Sequence, residues 1–138
     1  MDFPKTRVCI VGTGFIGVAS AIGLAELGHD VIGYDVQRER VNGLAGGIPP
    51  YHEDGLTHRL GRQLSAGRLR FTDSLEDAVV DARIIVVCVG TPSLPDGTAD
   101  LGAMRNAIRT LLRVAPERST IRCAEIVRRE VSGLPNLR

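Results

Sequence analysis

Apolar residues in this chain alternate between short unbroken runs and stripes spaced three or four apart. The first run is Val8-Cys9-Ile10-Val11, behind Arg7, and predicts a strand buried on both faces. From Val18 to Leu27 the small and apolar spacing is that of a buried helix, with Gly28 placed to end it. His29 to Asp35 reads as a second strand, and Gln37 to Ala45 as a short helix with Val41 and Leu44 inward. The stretch 43–50, rich in Gly and Pro, breaks regular structure. Leu56, Leu60 and Leu64 then repeat every four residues, one stripe of a helix that Gly67 should stop. Leu69 to Thr72 predicts a third strand, and Ser74-x-x-Asp77 resembles a capping box opening a helix over Leu75 to Val80. Arg83 to Val89 is a fourth strand, apolar enough to be central and covered on both faces. After the loop Gly90 to Asp100, Asp100 can cap a helix whose inner face is Leu101, Met104, Ile108, Leu111 and Ala115. Arg105, Arg109 and Arg113 form a second stripe facing solvent. Strands and helices in alternation predict an α/β fold with a doubly wound parallel sheet.

Between the first strand and helix lies Gly12-Thr13-Gly14-Phe15-Ile16-Gly17, and that context turns a weak glycine pattern into a nucleotide site of Rossmann-like type. Gly12 allows the tight turn, Gly14 lets the backbone approach a pyrophosphate, and Gly17 lets the helix pack on the strand. The helix N-terminus then offers N–H groups and its positive dipole end to the phosphates. Asp35 ends the second strand 18 residues after Gly17. A carboxylate there accepts from the adenosine ribose hydroxyls and repels a 2′-phosphate, which favours NAD over NADP. Its bland alternative is a helix N-terminal carboxylate that complements the dipole. Arg40 either leans toward the adenine and ribose or is a solvated surface residue. Ligands of open α/β sheets bind at the carboxyl edge, where the loop after the fourth strand lies.

Composition narrows the class. With 138 residues, 43% of them apolar and 24% charged, the chain reads as one globular domain able to bury a core. A net charge of +1 provides no global field for nucleic acid or a membrane surface. From Leu101 onward eight Arg face three Glu, a local excess read as solvated helix faces rather than a nucleic-acid site. Three cysteines make no disulfide framework and no Cys-x-x-Cys metal pair. Cys9 and Cys88 fall in core strands, and a reducing, cytoplasmic setting is expected. Val8 to Ala25 is uncharged and near transmembrane length, but its four glycines, Thr13 and Ser20 fit a strand and buried helix instead, with no membrane span.

Several stretches together resemble one family. They are Gly12-Thr13-Gly14-Phe15-Ile16-Gly17, Gly33-Tyr34-Asp35-Val36 with Arg40-Val41-x-x-Leu44, and Gly47-x-x-Pro50-Tyr51-His52-Glu53-x-Gly55-Leu56. The most specific is Val89-Gly90-Thr91-Pro92-x-x-x-Asp96-Gly97-x-Ala99-Asp100-Leu101. This order is similar to that of the UDP-glucose 6-dehydrogenase and GDP-mannose 6-dehydrogenase group, from about Arg7 to Leu112. The resemblance implies two successive NAD-dependent oxidations that turn the C6 hydroxyl of a nucleotide sugar into a carboxylate. It implies that Phe15 and Ile16 offer N–H groups to the pyrophosphate, that Asp35 holds the adenosine ribose, and that Val89, Gly90 and Thr91 line the cofactor. Glu53 is read as a loop-ordering acceptor for neighbouring N–H groups.

The chain departs from that family near its end. Arg118-Ser119-Thr120-Ile121 looks like the family's Lys/Arg-Ser-Thr-Val stretch, whose Thr serves the active site, so Thr120 is the candidate catalytic residue. Its alternative is an ordinary helix-start residue. Val114-Ala115-Pro116-Glu117 is not the apolar run a central strand needs, so the fifth strand is expected to be degenerate or missing. Arg122 to Arg129 resembles the helix that follows it. The expected division is therefore an NAD-binding domain over 1–115 and a divergent, helical tail over 116–138, with the central and catalytic domains outside this sequence. The family's nucleophilic Cys, which captures the aldehyde, would lie there too, so the chain by itself is not expected to complete the reaction. NAD is the expected partner, and a nucleotide sugar would join it once the other domain is supplied. A sheet cut short would expose an edge and an apolar helix face, which the chain is expected to cover by pairing with itself or with another protein. The competing class is a stand-alone dinucleotide-binding module without catalysis.

Overall fold

The computed structural model describes residues 4–123. Five strands, β1 (Arg7–Val11), β2 (Asp30–Tyr34), β3 (Leu69–Thr72), β4 (Ile84–Val87) and β5 (Thr120–Cys123), form one parallel sheet in the order β3-β2-β1-β4-β5. The chain winds outward from β1 to β3, then crosses back to lay β4 against β1. The connections carry helices α1 (Phe15–Glu26), α2 (Arg38–Ala45), α3 (Leu56–Ser65), α4 (Leu75–Val79) and α5 (Gly102–Val114). One core, with Val8, Ile10 and Val31 from the sheet, packs against α1, Leu44 of α2, and Leu56 and Leu60 of α3. The other, with Cys9, Val11, Ile32, Ile85 and Val87, packs against α4 and against Met104, Ile108 and Leu111 of α5. Successive strand residues thus feed opposite faces, which is why the runs in β1 and β4 are apolar without alternation.

The local signals act as their chemistry requires. Gly28 and Gly67 end α1 and α3 at φ +96° and +69°, values that L side chains rarely adopt. The Ser74 hydroxyl accepts from the Asp77 N–H at 3.3 Å and opens α4. Asp100 Oδ1 accepts from the Gly102 N–H at 2.9 Å, but the N-cap of α5 is Leu101, with no side-chain cap, rather than Asp100; Arg105, Arg109 and Arg113 are exposed. Helix α1 begins at Phe15, three residues before its apolar stripe, and β4 stops at Val87. Its amino end is also less covered than its sequence implies, since Ile84 keeps 37% of its surface.

One expectation needs correcting. A fifth strand exists, and it follows Pro116 and Ser119 rather than preceding them. Thr120 pairs with Ile84 and Cys123 with Val87, while Ile121 and Cys123 pack into the second core. The Ser119 hydroxyl donates to the Ala82 carbonyl at 2.6 Å, and the Thr120 N–H to the Arg83 carbonyl at 2.8 Å, so the strand is registered from its first residue. An edge strand of four residues requires only one apolar face, which Ile121 and Cys123 supply. Residues 120–123 therefore belong to the sheet, and Arg122 and Cys123 are strand rather than helix. The helix expected after Cys123 lies outside the described residues.

Candidate functional site

Where β1 and β4 lie side by side but continue in opposite directions around the sheet, the carboxyl edge opens into a cavity of about 710 Å³. Its floor is the turn Gly12 to Ile16. One wall is the end of β2, Tyr34 to Gln37, with Arg40. The opposite wall is Cys88-Val89-Gly90, where the chain leaves β4. Val11, Leu75 and, from α5, Ala103, Asn106, Ala107 and Thr110 complete the lining.

Each glycine of the turn has a distinct geometric reason. Gly12 has φ +97°, and a Cβ there would stand 2.8 Å from the Cys88 carbonyl oxygen. A Cβ on Gly17 would collide with the Gly12 carbonyl oxygen, so this residue sets how closely α1 lies on the turn rather than lining the cavity. Gly14 is different, because a Cβ would meet nothing within 4 Å. The space above it belongs to the cavity. Gly14 is also the N-cap of α1, with no side chain capping it. The first intrahelical bond runs from the Val18 N–H to the Gly14 carbonyl, so the N–H groups of Phe15 and Ile16 precede the helix ladder at the cavity floor.

Asp35 is 6% exposed and heavily hydrogen-bonded. Oδ2 accepts from the Thr13 N–H (3.0 Å), the Thr13 hydroxyl (2.9 Å) and Arg40 Nη1 (3.1 Å), and Oδ1 accepts from the Gln37 N–H (2.9 Å). Burial alone would raise its pKa. The bonds from Gln37, Thr13 and Arg40 outweigh burial and hold the carboxyl below its ordinary range. The site thus contains a fixed carboxylate, one of whose oxygens has room for a further donor. Arg40 is engaged with this carboxylate rather than simply solvated.

Eight of the sequence candidates meet at this cavity: Gly12, Gly14, Phe15, Ile16, Asp35, Arg40, Val89 and Gly90. Gly17 packs beneath it, and Thr91 is not among the lining residues. Thr120 is a correction. It stands at the amino end of β5, three residues of about 3.3 Å each from the carboxyl end. The Ser-Thr pair lies at the start of the strand rather than at its end, which puts Thr120 on the far edge of the sheet from the cavity. The loop before α3 holds its shape through the Glu53 carbonyl, which accepts from the Leu56 N–H at 3.1 Å, and the carboxylate of Glu53 is exposed. That loop also reaches the turn: the Tyr51 hydroxyl donates to the Phe15 carbonyl at 3.1 Å, and the two rings lie 4.2 Å apart.

Motif reading passed over Thr13, Tyr34, Gln37, Leu75, Asn106 and Thr110. Thr13 carried a signal, a hydroxyl between two glycines beside a core strand. Asn106 and Thr110 did not, since only the packing of α5 against β4 brings them to the edge. Among the described residues no cluster of His, Cys, Asp or Glu could hold a metal, and no helix is long and apolar enough to cross a membrane.

The sequence of residues 6–127 matches the UDP-glucose/GDP-mannose dehydrogenase family, NAD binding domain. The chain belongs to this family. UDP-glucose 6-dehydrogenase of Pseudomonas aeruginosa is 43% identical over 95 residues, 69% of this chain and 21% of that enzyme. A UDP-glucose dehydrogenase from Pyrobaculum islandicum superposes with TM-score 0.74 at 44% identity, over 78% of this chain and 25% of its own. GDP-mannose dehydrogenase of Pseudomonas aeruginosa, solved as a ternary complex, gives TM-score 0.79 at 35% identity, over 85% and 28%. The chain thus spans about a quarter of the length of the dehydrogenases it matches. The cofactor of this dehydrogenase domain is NAD. The open space over Gly14, the leading N–H groups of α1 and the free capacity of Asp35 Oδ1 suit a pyrophosphate and a ribose diol.

Proposed function

We propose that this chain holds NAD for a nucleotide-sugar 6-dehydrogenase, in which the C6 hydroxyl of a substrate such as UDP-glucose is oxidised in two steps to a carboxylate. When bound, NAD supplies the hydride acceptor. In this reading the Phe15 and Ile16 N–H groups bind the pyrophosphate, with Gly12 and Gly14 giving it room, and Asp35 accepts from the adenosine ribose. Val89 and Gly90 border the cofactor where β4 ends, and the hydrogen bonds from Gln37, Thr13 and Arg40 keep the carboxylate ionised. The observation that carries the reading is the meeting of the glycine turn and Asp35 in one cavity at the sheet's switch point.

The thiolate that a second oxidation requires is assigned to a part of the enzyme beyond this chain. Burial pushes the Cys9 thiol up to about 12, Cys88 is buried, and burial also raises Cys123. A reducing, cytoplasmic setting accords with Cys9, Cys88 and Cys123, none of which is in a disulfide among the described residues. Calorimetric titration of the 138-residue chain tests the cofactor reading, with NAD expected to bind about tenfold or more tighter than NADP. Equal affinities would overturn the ribose role of Asp35. Mixed with NAD and UDP-glucose, the chain is expected to form no NADH, and steady turnover would overturn the assignment of the thiol elsewhere.

A further inference from the structure

Between Gly12 and Gly14 lies a residue the motif leaves unspecified. We propose that Thr13 is the positioning residue for Asp35, fixing the carboxylate so that it discriminates NAD from NADP. The inference rests on the NAD reading of the site.

Thr13 has no exposed surface, and its buried hydroxyl therefore needs a partner within the protein. That partner is Asp35 Oδ2, which also accepts the Thr13 N–H. With Arg40 Nη1 added, three donors converge on this one oxygen. Among the described residues, Oδ1 takes only the Gln37 N–H. The arrangement therefore loads one oxygen fully and leaves capacity on the other, where a ribose hydroxyl can donate.

A carboxylate does not fix its own plane, because the torsion about its last bond is broad. Hydrogen bonds must do so, and of the four from described residues two come from Thr13. The residue is suited to the task. Its β-branch makes χ1 stiff, its hydroxyl is held by Asp35, and its Cγ2 methyl lies against β2 at Gly33, 3.3 Å from where a Cβ would stand. The Phe71 ring crowds that same position, 2.6 Å from where the Cβ would stand. Turn, strand end and carboxylate are thus locked through one side chain.

The consequence is specificity. Arg40 lines the same cavity and is 31% exposed, a cation well placed to accept a 2′-phosphate if Asp35 moved aside. Thr13 holds Asp35 where its charge opposes that phosphate and keeps Arg40 engaged. Removing the hydroxyl releases the carboxylate, and the penalty against NADP falls.

Calorimetry on the full 138-residue chain and its Thr13→Val, Thr13→Ser, Thr13→Ala and Asp35→Asn variants tests this. Thr13→Val keeps the shape and loses the hydroxyl. It is expected to weaken NAD about tenfold, because the carboxylate is then no longer held in its binding orientation before the ligand arrives, with NADP unchanged or tighter. Thr13→Ser is expected to keep the wild-type NAD to NADP ratio within about twofold, a rescue that packing alone would not produce. If Thr13→Val does not fold, Thr13→Ala provides the ratio without a methyl against Oδ2. A wild-type ratio in the folded hydroxyl-less variant, beside a collapsed ratio in Asp35→Asn, overturns the role of Thr13 alone. An unchanged ratio in Asp35→Asn overturns the ribose reading and this inference with it.

Discussion

Gly14 and Gly17 stand three residues apart and answer to different partners, one to a ligand and one to the fold. A methyl on Gly17 meets the Gly12 carbonyl, so Gly17→Ala is expected to destabilise the chain by about 1–3 kcal/mol or to prevent folding, read by urea denaturation. A methyl on Gly14 meets open space, so Gly14→Ala is expected to melt like the wild type and to lose NAD affinity about tenfold or more by calorimetry. Equal losses of stability in both variants would contradict this division. Asp35 makes a pH prediction whose sign follows from its depressed pKa. Below its ordinary value of 3.8 the unfolded carboxyl takes up a proton before the folded one does. Its contribution to stability is therefore present above about pH 4 and is lost as pH falls through the lower, folded value. The urea midpoint should drop on acidification below pH 4, and Asp35→Asn should drop less steeply. Cys9, with its thiol near 12 and no exposed surface, is expected to resist thiol reagents until the chain unfolds, which mass spectrometry after labelling can follow.

Helices here depend on their faces and caps more than on propensity. In α5, Met104, Ile108 and Leu111 are buried while Arg105, Arg109 and Arg113 face solvent. Leu111→Ala is expected to cost about 2–5 kcal/mol, and Arg109→Ala less than about 0.5, in paired denaturation curves. At the start of α4 the Ser74 hydroxyl serves the Asp77 N–H, so Ser74→Ala is expected to cost about 1 kcal/mol. The fifth strand shows the same economy of means. Ile121 and Cys123 give it one buried face, and an edge position asks for no more. A sequence criterion built for central strands passes over such an element, because it looks for an unbroken apolar run where alternation suffices.

At the scale of the whole molecule the sheet order decides where the ligand goes. Crossing back beside β1 places the carboxyl ends of β1, β2 and β4 around one cavity. Much of this was legible in the chain itself. The runs at Val8–Val11 and Ile84–Val87, the glycines at 12, 14 and 17, and Asp35 after β2 each act locally, through backbone sterics, burial or a nearby helix end. Such interactions leave their mark in neighbouring residues, and the element order and cofactor site follow from them. Long-range pairing leaves no such mark. The ring of Tyr51 on Phe15, Asn106 and Thr110 facing the cavity, and the register that puts Thr120 on the opposite edge all join residues far apart in sequence. Only packing the helices on the sheet fixes those distances, so the sequence determined the type of fold and its cofactor, and the tertiary structure decided which side chains surround it.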